Sequence, residues 1–170
     1  MTANVTSVRL TILNTIQAAF QAMTVAGSTA QYDAPSSDPY GIAFTTVAIG
    51  PLAAFDQRKR YSLGIAAGPE VEKFSMPYVM CFMTVNIELR ITVNANDATP
   101  GVMIEQLITV VKRLVTNNRK WNNIAIDTKV TGTEVDLTTY ADRSALAVLV
   151  LEIQYRYSYT DPRNPFPAFS

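Results

Sequence analysis

Residues 84–94 constrain the fold more than any other stretch of this chain. Val85, Ile87, Leu89, Ile91 and Val93 alternate there with Thr84, Asn86, Glu88, Arg90, Thr92 and Asn94. Successive side chains of a strand point to opposite faces. Strict alternation over this length therefore specifies an antiparallel strand with one apolar and one polar face. The apolar face has to be buried, and two helical patterns are present to cover it. Val5, Val8, Ile12, Ile16, Ala19, Phe20 and Met23 recur at helical spacing, with Leu13 widening the stripe. This predicts a helix over residues 4–23, stopped near Gly27. Met103, Ile104, Leu107, Ile108, Val111, Leu114 and Val115 form the second stripe. Thr99 suits its N-cap and Pro100 its first turn, and Lys112, Arg113 and Arg119 suit the negative end of its dipole.

Further strands frame this centre. Residues 42–49 read as a short strand ended by Gly50-Pro51. Tyr61, Leu63 and Ile65 alternate in a second strand, which Gly68-Pro69 is expected to close. The segment 74–83 is rich in sulfur and aromatic rings; it reads as core, or as an adaptable interface, with Pro77 keeping its start out of a central strand. Ile124, Ile126 and Val130 begin another strand, followed by a polar stretch. The last strand covers residues 145–159, apolar on both faces at first and alternating from Ile153 onward. Residues 28–41 collect Ser, Asp, Pro and Gly and read as a flexible loop. Residues 160–170, with Pro162, Pro165 and Pro167, are expected to leave the sheet as an extended tail. The expected architecture is a single α+β domain over residues 1–170: a largely antiparallel β-sheet with two long helices packed on one face.

Composition narrows the function. Lys+Arg and Asp+Glu are 14 each, so the net charge is zero, which argues against a general nucleic-acid binder. The chain has no histidine, which removes Ser-His and Cys-His nucleophile pairs and most zinc sites. The one cysteine, Cys81, lies among Met80, Phe82 and Met83 and reads as a buried, inert thiol. Glu70 with Glu72, and Glu134 with Asp136, are each two apart and would share a strand face; solvated hairpin charges are the plainer reading of both pairs. There is no phosphate loop, no Cys/His metal spacing and no nucleophile elbow. The expectation is a non-enzymatic chain with no catalytic residue, cofactor or metal. No secretory signal is recognisable, and the longest apolar run, residues 146–151, is too short to span a bilayer, so a soluble chain made in the cytoplasm is expected.

The order of elements resembles that of the phage tail terminator and tail completion family. The features that carry the resemblance are the strand over residues 84–94, the helix starting at Pro100, and the closing strand 149–159 running into Thr160-Asp161-Pro162. The resemblance implies a virion protein of the tail or neck. It would form a hexameric ring that caps the tail tube, stops its polymerisation and joins the head connector. DNA would pass through the hole without sequence readout. Neighbouring possibilities are a head-completion or neck subunit, a tail-tube subunit, or a generic ligand-binding α+β domain. Arg58, Lys59, Arg60, Glu88, Arg90, Phe166 and Phe169 are the candidate partner interface. Glu134, Asp136 and Asp142 are candidates for the lumen, where acids would repel phosphate.

Overall fold

The structure is a computed structural model, and it describes residues 6–23, 44–52, 60–94, 98–136 and 143–166. The elements run α1 (Val8–Gln21), β1 (Thr46–Ile49), β2 (Tyr61–Ser75), β3 (Tyr78–Thr92), α2 (Pro100–Asn117), β4 (Ala125–Asp136), β5 (Ser144–Ser158) and β6 (Asp161–Pro165). The strands form one sheet in the order β1-β2-β3-β5-β4, with β6 pairing β5. Among the described residues, only the β1–β2 pair is parallel; the others are antiparallel. The α+β class and the mainly antiparallel sheet agree with the reading of the sequence. The flexible-loop expectation for residues 28–41 lies outside the described residues.

The expected alternation holds along β3 and begins six residues earlier than the sequence suggested. Val79, Cys81, Met83, Val85, Ile87, Leu89 and Ile91 are buried, and the residues between them are half-buried. The sulfur-rich segment thus divides between the two faces. Met83 and Cys81 belong to the core, while Met80 and Phe82 lie on the second face. Pro77 does not interrupt a strand, because it sits in the turn between β2 and β3 after a cis Met76–Pro77 bond.

Helix α1 starts later than the apolar spacing suggested. The Ser7 side chain accepts a hydrogen bond from the Leu10 N–H at 3.2 Å, which caps the helix at that point. α2 begins at Pro100 as expected, with Thr99 at the N-cap, but the Thr99 side chain makes no capping hydrogen bond. α1 lies against β1 and β2, and α2 against β3, β4 and β5. Ile12, Ile16 and Phe20 of α1 and Ile104, Leu107 and Val111 of α2 share one continuous core with Val85, Ile87 and Leu89. No helix is long and apolar enough to cross a membrane among the described residues.

Two corrections concern strand ends. Gly68-Pro69 does not close β2, which continues to Ser75 through a bulge between Ala67 and Glu70. A proline is tolerated there because the bulge already interrupts the ladder. The second correction is at the C-terminus. The chain turns at Tyr159 and Thr160 and returns as β6 along the end of β5, instead of leaving the sheet. Pro162 and Pro165 fit because β6 is a short peripheral strand whose missing donors are not needed in a ladder.

Candidate assembly interface

The bulges decide which side chains meet. Before the β2 bulge, Leu63 and Ile65 face the core; after it the parity changes, and Glu70 and Glu72 pair with Met83 and Cys81 on that same face. β3 in turn pairs Cys81 with Tyr155 and Val79 with Tyr157. The result is a polar plug at one end of the core face. The Tyr155 hydroxyl donates to a Glu70 carboxylate oxygen and also hydrogen-bonds with Cys81. The Tyr157 hydroxyl donates to Glu72 Oε1 at 2.8 Å. From α1, Arg9 donates to the Gly68 carbonyl at 2.8 Å and stands 3.7 Å from Glu70 Oε1.

Glu70, Glu72 and Cys81 bring one potential ligand atom each within 4.8 Å of one another. Their surroundings favour a plug over a metal site. Both carboxylates are held by tyrosine hydroxyls, and Glu70 also faces Arg9. Burial, with the two carboxylates adding to it, pushes the Cys81 thiol up to about 12, whereas a coordinating thiol must lose its proton. Burial and the hydrogen bond to Glu72 push Tyr157 up to about 12 as well. Burial and Glu70 raise Tyr155 further still.

The second face of the sheet gathers residues that the sequence reading had assigned to separate roles. Gly64 pairs with Glu88, Glu88 with Val148, and Val148 with Glu134; one row on, Ser62 pairs with Arg90, Arg90 with Leu146, and Leu146 with Asp136. Cross-strand partners share a face, so the interface candidates Glu88 and Arg90 and the lumen candidates Glu134 and Asp136 form one surface. Glu88 Oε2 accepts the Leu52 N–H at 3.1 Å, which ties the segment after β1 over this face at Gly64. A side chain at position 64 would meet Leu52 Cγ and the Gly50 carbonyl oxygen, each at 3.0 Å.

The remaining candidates are spread apart. Arg60 is exposed at the start of β2 with its guanidinium 5.4 Å from the Tyr61 ring centroid. Phe166 is not a free anchor. Its ring lies 5.2 Å from Tyr78, the buried Arg156 guanidinium stands 5.0 Å from Tyr78 and 5.7 Å from Phe166, and the Phe166 N–H donates to the Arg156 carbonyl at 3.2 Å. Arg58, Lys59, Asp142 and Phe169 lie outside the described residues.

One feature was missed in the sequence, and a second was read only in part. A groove of about 300 Å³ runs between α2 and β4, lined by Lys112, Val115, Thr116, Arg119, Thr128, Lys129 and Val130. Asp127 beside it takes a bidentate contact from Arg119 at 2.7 and 2.8 Å and lies 4.0 Å from Lys129 Nζ. The Arg119 guanidinium holds the Asp127 carboxyl below its ordinary range. The second feature is the outer half of β2 and the turn after it. Val71, Phe74 and Met76 are 58, 71 and 76 % exposed there, and the Phe74 ring meets the half-exposed Tyr159 at 6.2 Å. The adaptable-interface alternative for residues 74–83 already covered Phe74 and Met76; Val71 lay outside it because the strand was expected to close at Gly68-Pro69. The groove joins residues of two elements that no local pattern connects.

The chain matches no protein-family model and no curated protein.

Proposed function

We propose that this chain is a structural subunit of a phage tail. Six copies form a ring that caps the tail tube, stops its polymerisation and provides the joint to the head connector. It works by adhesion and steric exclusion, with no catalytic step, and DNA passes the hole without sequence readout. The protein is assembled in the host cytoplasm and resides in the virion. Both helices cover the same face of the sheet, leaving the other for the assembly.

The observation that carries this reading is the second face. Glu88, Glu134 and Asp136, with Arg90 among them, stand in two adjacent rows interleaved with Val148 and Leu146, Glu134 exposed and the others half-buried. In a closed ring such a face can border the hole, where acids repel phosphate and keep DNA mobile. The shared core of α1, α2 and the inward side chains of β3 supports placing both helices on the opposite face. The family resemblance supplies the ring and its partners.

The decisive measurement is native mass spectrometry of the chain with assembled tail tube, joined to a low-resolution map of the tail. The expected outcome is a closed ring of six at one end of the tube. Free monomer alone would reject the proposal, and tubes made of this chain would make it a tube subunit instead. Replacing Arg58, Lys59 and Arg60 with Ala should weaken attachment. A melting temperature that barely moves would mark these charges as docking groups and not structural ones, since an exposed ion pair contributes about 0–1 kcal/mol.

A further inference from the structure

The turn that sends the chain back into β6 lacks the residues such a turn needs. Ser158 faces Asp161 across the ladder, so Tyr159 and Thr160 form a two-residue hairpin loop. Loops of that length match the twist of their strands when a left-handed residue, usually Gly, Asn or Asp, stands in them. The described non-glycine residues with positive φ are Trp121, Asn122 and Asn123, so neither Tyr159 nor Thr160 supplies it. The ladder is irregular accordingly, with a register shift between Tyr157 and Ser158. Tyr and Thr are strand formers, and Tyr159 extends the β5 alternation of Ile153, Tyr155 and Tyr157. Local preference thus favours a straight strand through residues 158–161, whereas the fold of the single chain bends it.

The segment beyond the turn satisfies its own charges. Asp161 Oδ1 accepts the Arg163 backbone N–H at 3.0 Å and Arg163 Nε at 2.7 Å, and Oδ2 accepts Arg163 Nη2 at 2.7 Å. Pro162 and Pro165 preset an extended backbone and donate nothing to β5. Residues 162–165 are exposed. The far end carries the attachment: the Phe166 N–H donates to the Arg156 carbonyl, and its ring lies against Tyr78 and the Arg156 guanidinium. The seat is at the periphery of the sheet. β3 holds one edge of β5 as far as Ser158, and β4 holds the other only as far as Tyr155. Beyond Tyr155 that second edge is left to β6.

We infer that residues 161–166 are an arm exchanged between copies of this chain. In the isolated subunit the hinge at Tyr159-Thr160 is bent and the arm fills its own seat. In the assembly the hinge straightens, and the arm fills the same seat on a neighbouring copy. Every contact between arm and seat forms equally well within one chain or between two, so the two states differ at the hinge. The Ser158–Thr160 hydroxyl contact at 3.0 Å belongs to the bent hinge, and the strand preference of Tyr159 and Thr160 offsets its loss. The prolines limit the entropy that the extended arm loses on docking. The inference rests on the ring reading and deepens it, because each subunit then gives one arm and receives one, which is a head-to-tail contact.

Disulfide trapping on the full chain tests this. A double variant, Ser158→Cys with Asp161→Cys, should bridge within one chain when oxidised, since the two positions face each other. The bridge locks the hinge bent; Cys81 is buried and stays out of the reaction. A mixture of the two single variants is then oxidised on assembled tube. The expected product is a linked pair at twice the 18.7 kDa of one chain, absent when either single variant is oxidised alone. In native mass spectrometry the oxidised double variant should lose assembly and regain it on reduction. A turn variant, Tyr159→Asn with Thr160→Gly, favours the bent hinge and keeps Asp161. It should keep its melting temperature and lose assembly, and it decides alone if the double variant does not bridge. Locked or turn variants that assemble like the wild type, or a mixture that gives no linked pair although the double variant bridges, would overturn the exchange and leave the ring reading standing. A wild type that stays monomeric at every concentration and on assembled tube would overturn both.

Discussion

Cys81 illustrates how much a single residue's chemistry depends on what the fold places beside it. Burial, with the neighbouring Glu70 and Glu72 carboxylates adding to it, pushes its thiol pKa from 9.0 to about 12 against the opposing hydrogen bond with Tyr155. The native protein should therefore resist a thiol reagent at neutral pH and react fully once unfolded; fast labelling of the native state would contradict this placement. The sign of the pH dependence follows. A group whose pKa is raised by folding contributes stability that is present below its unfolded pKa and is lost as pH rises through the folded one. Cys81 and Tyr157 both behave in this way. The melting temperature should fall as pH rises from 9.0 toward about 12, and less steeply in Cys81→Ala. Trp121 is a second case. It has a left-handed backbone (φ 41°), unusual for so large a residue, and the buried ring donates from Nε1 to Thr128 Oγ1 at 2.9 Å. Thr128→Val should leave that donor buried and unpaired, at a cost of about 1–3 kcal/mol in urea denaturation. An unchanged midpoint would mean that water reaches the indole.

Among the elements, β6 departs most from its sequence signature. Three prolines within residues 160–170 suggest an extended tail that leaves the sheet. Yet Asp161–Pro165 pairs the end of β5, and Phe166 completes the stack on Arg156 and Tyr78. Arg163 folds back on Asp161 at 2.7 Å, which stiffens the strand locally. Removing residues 161–170 should therefore lower the stability of the isolated subunit by about 1–2 kcal/mol, the scale of a desolvated cation–π contact. Equal stability of the truncated and full-length chains would restore the loose-tail reading. β2 and β4 teach a related lesson. A bulge shifts the parity of β2 and brings Glu70 and Glu72 onto the core face. Bulges in β4 at Ala125/Asp127 and Val130/Gly132 shift its parity twice. Ile126 falls within the first of these, so the apparent alternation of Ile124, Ile126 and Val130 does not describe one face.

At the scale of the whole molecule, the central pairing is between β3 and β5, which joins residues as distant as Tyr78 and Ser158. β2–β3 is the local hairpin; the β3–β5 ladder requires closure of a chain segment that includes all of α2 and β4. Loop closure comes before the reward of non-local contacts. Refolding of the subunit should accordingly take about milliseconds to seconds, as in other sheet proteins of this kind. Stopped-flow tryptophan fluorescence would test this through the buried Trp121, and microsecond refolding would show that local structure dominates instead.

By itself the sequence determined what depends on local periodicity and on composition. The alternation of β3, the apolar stripes of α1 and α2 and the long β5 are readable because a side chain's face follows from its position in a regular strand or helix. The lack of histidine likewise closes several catalytic routes without any coordinates. Only the tertiary structure decided the rest. Bulges re-aim side chains without altering composition, so Glu70 and Glu72 join Cys81, Tyr155 and Tyr157 only once strand register is known. Register also merges Glu88, Arg90, Glu134 and Asp136 into one surface. The groove of Lys112, Arg119 and Lys129 exists only because α2 packs beside β4. These are contacts between residues far apart in the chain, and the free energy that selects them comes from packing and pairing, to which no local pattern is sensitive.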